Sequence, residues 1–350
     1  MTVQEVLQLN LIEKQFQESK QFFKTHQTKD IKFRKQQLKL LSKSIKDHET
    51  ELLESLKIDL GKGSVEAYAT EIGILLKSIK TARKELKNWA KTKQVDTPLF
   101  MFPSKSYIKP EPYGTILIIG PFNYPVQLLF EPLIGAIAAG NNAIIKPSEL
   151  TPHVAQVVRK VIEDVFASDF VAVVEGGVEE TQTLINLPFD YIFFTGSENV
   201  GRIVYEAASK NLVPVTLELG GKSPVIVDET ANIKVASDRI SFGKFTNAGQ
   251  TCVAPDYILV NRKVKNELIQ AFKQSIEEFY GKNIQNSPDF GRIVNTKHFN
   301  RLSELLAIHR NEVIFGGHTD ENEQYIEPTI LDGITPVSYT HLRAHETDSY

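Results

Sequence analysis

From Tyr113 to Leu217 the chain alternates short apolar runs with stretches of helical periodicity, a rhythm that leaves few folds open. Thr115-Ile116-Leu117-Ile118-Ile119 and Ala143-Ile144-Ile145 read as buried strands, and further strands are expected over 171–174, 191–194 and 213–217. Helical stretches fall between them at 125–139, 152–166, 180–186 and 200–210. Parallel neighbours need a long crossover, and a helix supplies one, so the pattern predicts an α/β fold with a doubly wound parallel sheet. A second series opens at Pro224-Val225-Ile226-Val227, with a helix over 233–245, a strand over 257–260 and a helix over 264–280. Ahead of the sheet, Phe33, Leu38, Leu40, Leu41 and Ile45 recur at helical spacing, so residues 10–60 are expected to form two or three amphipathic helices.

A chain of 350 residues is long enough for about two domains with separate cores. The flexible pair Gly220-Gly221 marks the expected boundary. It divides the chain into the N-terminal helices with a first α/β domain (1–219), a second domain (220–336) and a tail (337–350). Forty basic and forty-three acidic side chains leave a net charge of −3, without the positive field that nucleic acid binding requires. The basic run over 77–93 is read as a solvated helix face. Pro121, Pro125, Pro132 and Asn141-Asn142 interrupt the most apolar stretch, so it is no membrane helix. The N-terminus lacks a secretory apolar core and one cysteine cannot form an internal disulfide, so a cytoplasmic location is expected.

Five features carry candidate chemistry. Cys252, the only cysteine, lies in Asn247-Ala248-Gly249-Gln250-Thr251-Cys252 and is either a core residue or a reactive thiol. Asn123, in Pro121-Phe122-Asn123-Tyr124-Pro125, is a turn residue or an amide donor at the carboxyl end of a strand. Lys146 and Glu149 either hydrogen-bond ribose hydroxyls or form a surface turn with a helix-start carboxylate. Phe194-Thr195-Gly196-Ser197, continuing to Gly201, follows a strand and opens a helix; it either cradles a phosphate or is only an N-cap at Ser197 or Asn199. Glu218 ends an apolar run before two glycines, as a half-buried base or a boundary residue.

In order and spacing, these segments, with Lys146-Pro147-Ser148-Glu149, Glu218-Leu219-Gly220-Gly221-Lys222-Ser223-Pro224 and Gly249-Gln250-Thr251-Cys252, resemble the aldehyde dehydrogenase family. The separations of Asn123 and Glu218 from Cys252, and Ala254-Pro255-Asp256-Tyr257 after it, are similar to the class-3, fatty-aldehyde-type branch. The resemblance covers residues 10–336. It implies a cofactor domain over 1–219, an incomplete α/β catalytic domain over 220–336, and NAD(P)-dependent oxidation of medium- or long-chain aliphatic or aromatic aldehydes. Cys252 would be the nucleophile, Asn123 an oxyanion donor with the Cys252 backbone N–H, and Glu218 the base for thioester hydrolysis. Lys146 and Glu149 would contact the adenosine ribose of NAD or NADP, and Thr195, Gly196, Ser197 and Gly201 would form the cofactor turn. A homodimer is implied for the full-length protein, and no metal.

Past Tyr325–Leu331 the family continues into a Glu-Ile-Phe-Gly-Pro-like segment, where this chain has residues 337–350 instead. That tail is expected to be non-native and the chain a fragment, with His341 and His345 lacking the further ligands of a metal site. Two other readings stand beside the oxidoreductase. One is a cysteine hydrolase pairing Cys252 with His298 or His309; the other is a fragment silent for want of its C-terminal part.

Overall fold

A computed structural model describes residues 3–334; the tail with His341 and His345 lies outside the described residues. The chain opens with α1 (Val3–Lys24), α2 (Ile31–Asp47), α3 (Glu49–Leu60) and α4 (Ser64–Ala67). A π-helical turn, Tyr68–Ile72, then leads into α5 (Gly73–Trp89). Asp30 starts α2 by accepting from the Lys32 N–H at 3.0 Å, satisfying a donor that the first helical turn leaves unpaired. On α5, Leu75, Ile79, Ala82 and Leu86 recur every three or four residues and are buried. Lys77, Lys80, Arg83, Lys84 and Lys87 stay exposed, as a solvated face requires. A hairpin of β1 (Lys93–Val95) and β2 (Ser106–Ile108) follows.

The α/β alternation then unfolds as read from the sequence. It comprises β3 (Thr115–Ile119), α6 (Gln127–Ala139), β4 (Asn142–Lys146), α7 (Pro152–Glu163) and β5 (Val171–Val173). It continues through α8 (Val178–Asn186), β6 (Tyr191–Thr195), α9 (Glu198–Ser209) and β7 (Val215–Glu218). The five strands form one parallel sheet in the order β5-β4-β3-β6-β7. Every residue of β3 and β4 is buried, which explains runs of Ile and Leu without polar alternation. Winding runs outward from β3 in both directions, so right-handed crossovers place α6 and α7 on one face and α9 on the other.

Two compact units emerge: residues up to Leu52 with Thr70–Glu218, and Leu53–Ala69 with the chain from Leu219 onward. In the second, β8 (Pro224–Val227) pairs in parallel with β9 (Tyr257–Val260), separated in sequence by α10 (Ile233–Phe245). With α11 (Lys265–Tyr280) they enclose Val227, Ile233, Leu268, Ala271 and Phe272. Beyond α12 (Thr296–Ile308), four short strands close two antiparallel pairs: β10 (Val313–Phe315) with β13 (Ile330–Leu331), and β11 (Thr319–Asp320) with β12 (Tyr325–Ile326). Ile276, Ile284, Phe290 and Tyr325 form a second cluster. No helix among the described residues is long and apolar enough to cross a membrane.

Candidate active site

In the first unit, strand register sets the candidate residues along one edge. Ile119 pairs with Lys146 on one side and Phe194 on the other, and Thr195 pairs with Glu218. The carboxyl ends of β3, β4, β6 and β7 therefore stand side by side. The winding reverses between β3 and β6, the place in an open α/β sheet where a ligand crevice forms. Asn123 follows β3 there, and Gly196 follows β6.

Asn123 sits in the bend between β3 and α6, half-buried. Its Oδ1 accepts from the Tyr124 N–H at 3.1 Å, which fixes the side-chain amide and leaves Nδ2 as its donor end. Gly120 allows the close approach behind this bend, since a Cβ there would come within 2.9 Å of Leu129 Cδ1. Lys146 ends β4 with its side chain only 3% exposed, and its ammonium donates to Glu149 Oε2 at 2.6 Å. Burial pushes the Glu149 carboxyl up, but the Lys146 hydrogen bond, a backbone N–H and the Lys146 charge outweigh it, leaving the group below the ordinary carboxylate range.

Thr195 closes β6, and its buried hydroxyl has no hydrogen-bond partner among the described residues. The Gly196 N–H donates to the Glu218 carbonyl at 3.0 Å, tying the turn to the end of β7. Ser197 is the N-cap of α9, accepting from the Val200 N–H at 3.4 Å, and Gly201 is buried one turn later. The cap read from sequence is present, and α9 opens at the sheet's carboxyl edge, just beyond β6. Glu218 is exposed at the end of β7, so its carboxylate is hydrated and not the half-buried group considered from sequence.

Cys252 belongs to the second unit and is partly exposed. The short 3₁₀ turn Thr246–Gly249 before it contains Asn247 (φ 56°) and Ala248 (φ 51°), both in the left-handed region, followed by Gly249 at φ 80°. For alanine that conformation is strained and must be held by its surroundings. Gln250 does much of the holding. Its Nε2 donates to the carbonyls of Asn247 (3.1 Å) and Arg292 (2.9 Å), and its Oε1 accepts from the Val294 N–H at 3.0 Å. Glu66 adds a bond from the Asn247 N–H at 2.9 Å. His298, a candidate hydrolase partner, lies in the first turn of α12. Burial, with the charges of Arg301 and Lys297, holds its imidazole below the ordinary value.

Several contributors escape sequence reasoning: Gln250, Glu66, Glu71 and a buried Lys222–Asp256 pair. Each acts on a partner distant in sequence; Gln250, Lys222 and Asp256 stand within recognised segments, while Glu66 and Glu71 do not. Among the described residues, no three His, Cys, Asp or Glu side chains gather to hold a metal.

Residues 4–342 match the Aldehyde dehydrogenase family profile. Over 327 residues the chain is 71% identical to the 4,4'-diaponeurosporen-aldehyde dehydrogenase of Staphylococcus aureus, covering 93% of this chain and 71% of that protein. It is 42% identical to aldehyde dehydrogenase family 3 member A2 of Macaca fascicularis, covering 93% of this chain and 67% of that one. The substrate-bound structure of Staphylococcus aureus AldH superposes with a TM-score of 0.91 at 71% identity, over 93% of this chain and 71% of that one. On the matched residues, the shared fold and these relatives, the chain belongs to the aldehyde dehydrogenase family, with family 3 members among its relatives.

Proposed function

We propose that the chain catalyses NAD(P)-dependent oxidation of aldehydes to carboxylic acids through covalent chemistry on Cys252. The observation that carries this reading is the gathering of Asn123, Lys146, Thr195 and Glu218 at the carboxyl edge of one sheet. Lys146 and Glu149 offer a cation and an acceptor suited to ribose hydroxyls. The orphaned Thr195 hydroxyl and the capped start of α9 suit the polar, anionic part of a dinucleotide. These residues fit NAD or NADP, and the first unit is their proposed binding domain.

The Cys252 thiolate adds to the carbonyl carbon, forming a C–S bond and moving the π electrons onto oxygen. The Asn123 Nδ2 and the Cys252 backbone N–H donate to that oxyanion; such donors count most where charge develops. Held by Lys146, Glu149 and the turn from Thr195, NAD(P)+ would supply the acceptor for the hydride that leaves the thiohemiacetal carbon, giving a thioester on Cys252. Glu218 then takes a proton from the water that attacks the thioester carbonyl, and the thiolate departs as the acid is released. The exposure of Glu218 suits this role, because the proton it gains can pass on to solvent.

The Staphylococcus aureus relative is named for a diaponeurosporene aldehyde, a long apolar polyene. We extend that class to this chain: medium- and long-chain aliphatic, aromatic and polyene aldehydes. The free thiol suits a reducing compartment, so the cytoplasm is the proposed location, and a homodimer the proposed assembly of the full-length protein. The test is to supply hexadecanal, benzaldehyde and a polyene aldehyde with NAD+ or NADP+, measuring reduced cofactor and acid. Strict cofactor dependence is expected. Cofactor-free release from an activated ester, without aldehyde-dependent reduction, would replace this reading with a hydrolase.

A further inference from the structure

Glu71 is a carboxylic acid with no exposure to solvent, in the π-helical turn that precedes α5. Its Oε2 accepts from two successive backbone groups, the N–H of Val126 and the N–H of Gln127, each at 3.0 Å. Those are donors at the mouth of α6, where the N-cap residue, Val126, provides no side-chain cap. Initial N–H groups of a helix must find partners outside it, and a carboxylate also meets the positive end of the helix dipole. Here that partner comes from 55 positions upstream. The bond pattern runs back from the clamp to the amide of interest: the Leu128 N–H donates to the Tyr124 carbonyl at 3.0 Å, and the Tyr124 N–H donates to Asn123 Oδ1 at 3.1 Å.

We propose that Glu71 is a positioning residue for the oxyanion donor: by clamping Val126 and Gln127 it fixes the turn that presents Asn123 Nδ2. This rests on the oxyanion reading of Asn123. The physical requirement is strict, because a donor helps only when it is already in place as charge develops, and a displacement of ~1 Å can cost around 10²-fold in rate. Residues 121–125 lie between β3 and α6, outside either element. A buried acceptor of two N–H groups restrains the end of that turn without touching substrate.

Two measurements on the whole chain decide the matter. In Glu71→Ala, backbone hydrogen exchange at Val126 and Gln127 should accelerate, and kcat should fall about 10- to 100-fold with KM much less affected. In an Asn123→Ala background the same substitution should cost no further kcat, since a donor already absent cannot be misplaced. Glu71→Gln keeps an oxygen able to accept both N–H groups and should restore most of kcat. Glu71→Asp retracts the acceptor by one methylene and carries the test if the alanine variant fails to fold. Equal losses in both backgrounds, a loss confined to KM, or unchanged exchange at the two amides would overturn the proposal. A normal kcat in Asn123→Ala alone would remove the oxyanion reading and this proposal with it. The exchange rates would still report separately whether the clamp exists.

Discussion

Lys222 and Asp256 face each other at 3.3 Å with both side chains only 3% exposed. Lys222 stands four residues beyond Glu218, and Asp256 four beyond Cys252, so one ion pair secures the chain just after each of these two proposed catalytic residues. The Asp256 N–H also donates to the Ser223 carbonyl at 2.9 Å, and the Lys244 ammonium lies 3.9 Å from the other carboxylate oxygen.

Removing one member of a buried pair leaves the other charge under-compensated, at a cost of up to about 3–5 kcal/mol, which the Lys244 ammonium 3.9 Å from Asp256 offsets in part. Lys222→Ala should therefore lower the urea midpoint sharply. The double variant Lys222→Met with Asp256→Leu should recover much of the loss, because it buries no unpaired charge. A single substitution that leaves the midpoint in place would show that the pair contributes little.

Cys252→Ala should abolish aldehyde oxidation, a loss of several orders of magnitude, while NAD+ affinity stays near that of the unaltered chain. The thiol forms the covalent bond and does not hold the dinucleotide. Retained turnover, measured as aldehyde-dependent reduced cofactor, would sink the nucleophile assignment.

Asn123→Ala should lower kcat by about 10²–10³, the usual cost of one oxyanion donor, and alter KM less. Steady-state kinetics separate the two. Damage to KM alone would indicate a binding role.

Glu218→Gln should leave the first turnover intact and slow release of the acid. A stoichiometric burst of reduced cofactor, with an acyl adduct on Cys252 by mass spectrometry, is the expected signature. Normal steady-state turnover would exclude Glu218 as the required base.

His48 adds a pH dependence. Its Nε2 lies 2.7 Å from Asp164 and its Nδ1 3.0 Å from Glu51. The Asp164 hydrogen bond, opposed by burial and aided by Glu51, holds the imidazole above its ordinary value. A raised folded pKa means stabilisation that is complete below the unfolded value of ~6.5 and lost as pH climbs through the folded one. Thermal midpoints at about pH 6 and about pH 9 should therefore differ more in the unaltered chain than in His48→Gln. Equal differences would remove His48 from the account.

Much of this architecture was legible because burial on both faces writes a parallel strand as an unbroken apolar run. Thr115–Ile119 coincides with its strand, the strand read at 143–145 extends by one residue at each end, and that read at 191–194 by one at its carboxyl end. The helix expected from Pro125 begins at Gln127, since Pro125 and Val126 are occupied in the turn that Glu71 clamps. Candidate site residues were visible as side-chain types at strand ends. Their supports were not. Glu66 reaches the Asn247 N–H across 181 positions, a relationship that local periodicity does not encode. The left-handed backbone at Ala248 was equally hidden, because alanine has no preference for it and only the surrounding bonds impose it. The exposure of Glu218 follows from β7 lying at the sheet's edge, which depends on strand order and not on its apolar neighbours.

The partly exposed thiol at position 252 is also the chain's sole sulfhydryl. A maleimide dye, a spin label or a mass tag will therefore report on one address without any background cysteines first being engineered away. Labelling speed across a pH series reads the thiolate directly, and protection by an added aldehyde or dinucleotide becomes an occupancy assay. Chemical proteomics with an electrophilic probe would tag these 350 residues at a single point, so within them the modified peptide alone identifies where the probe reacted.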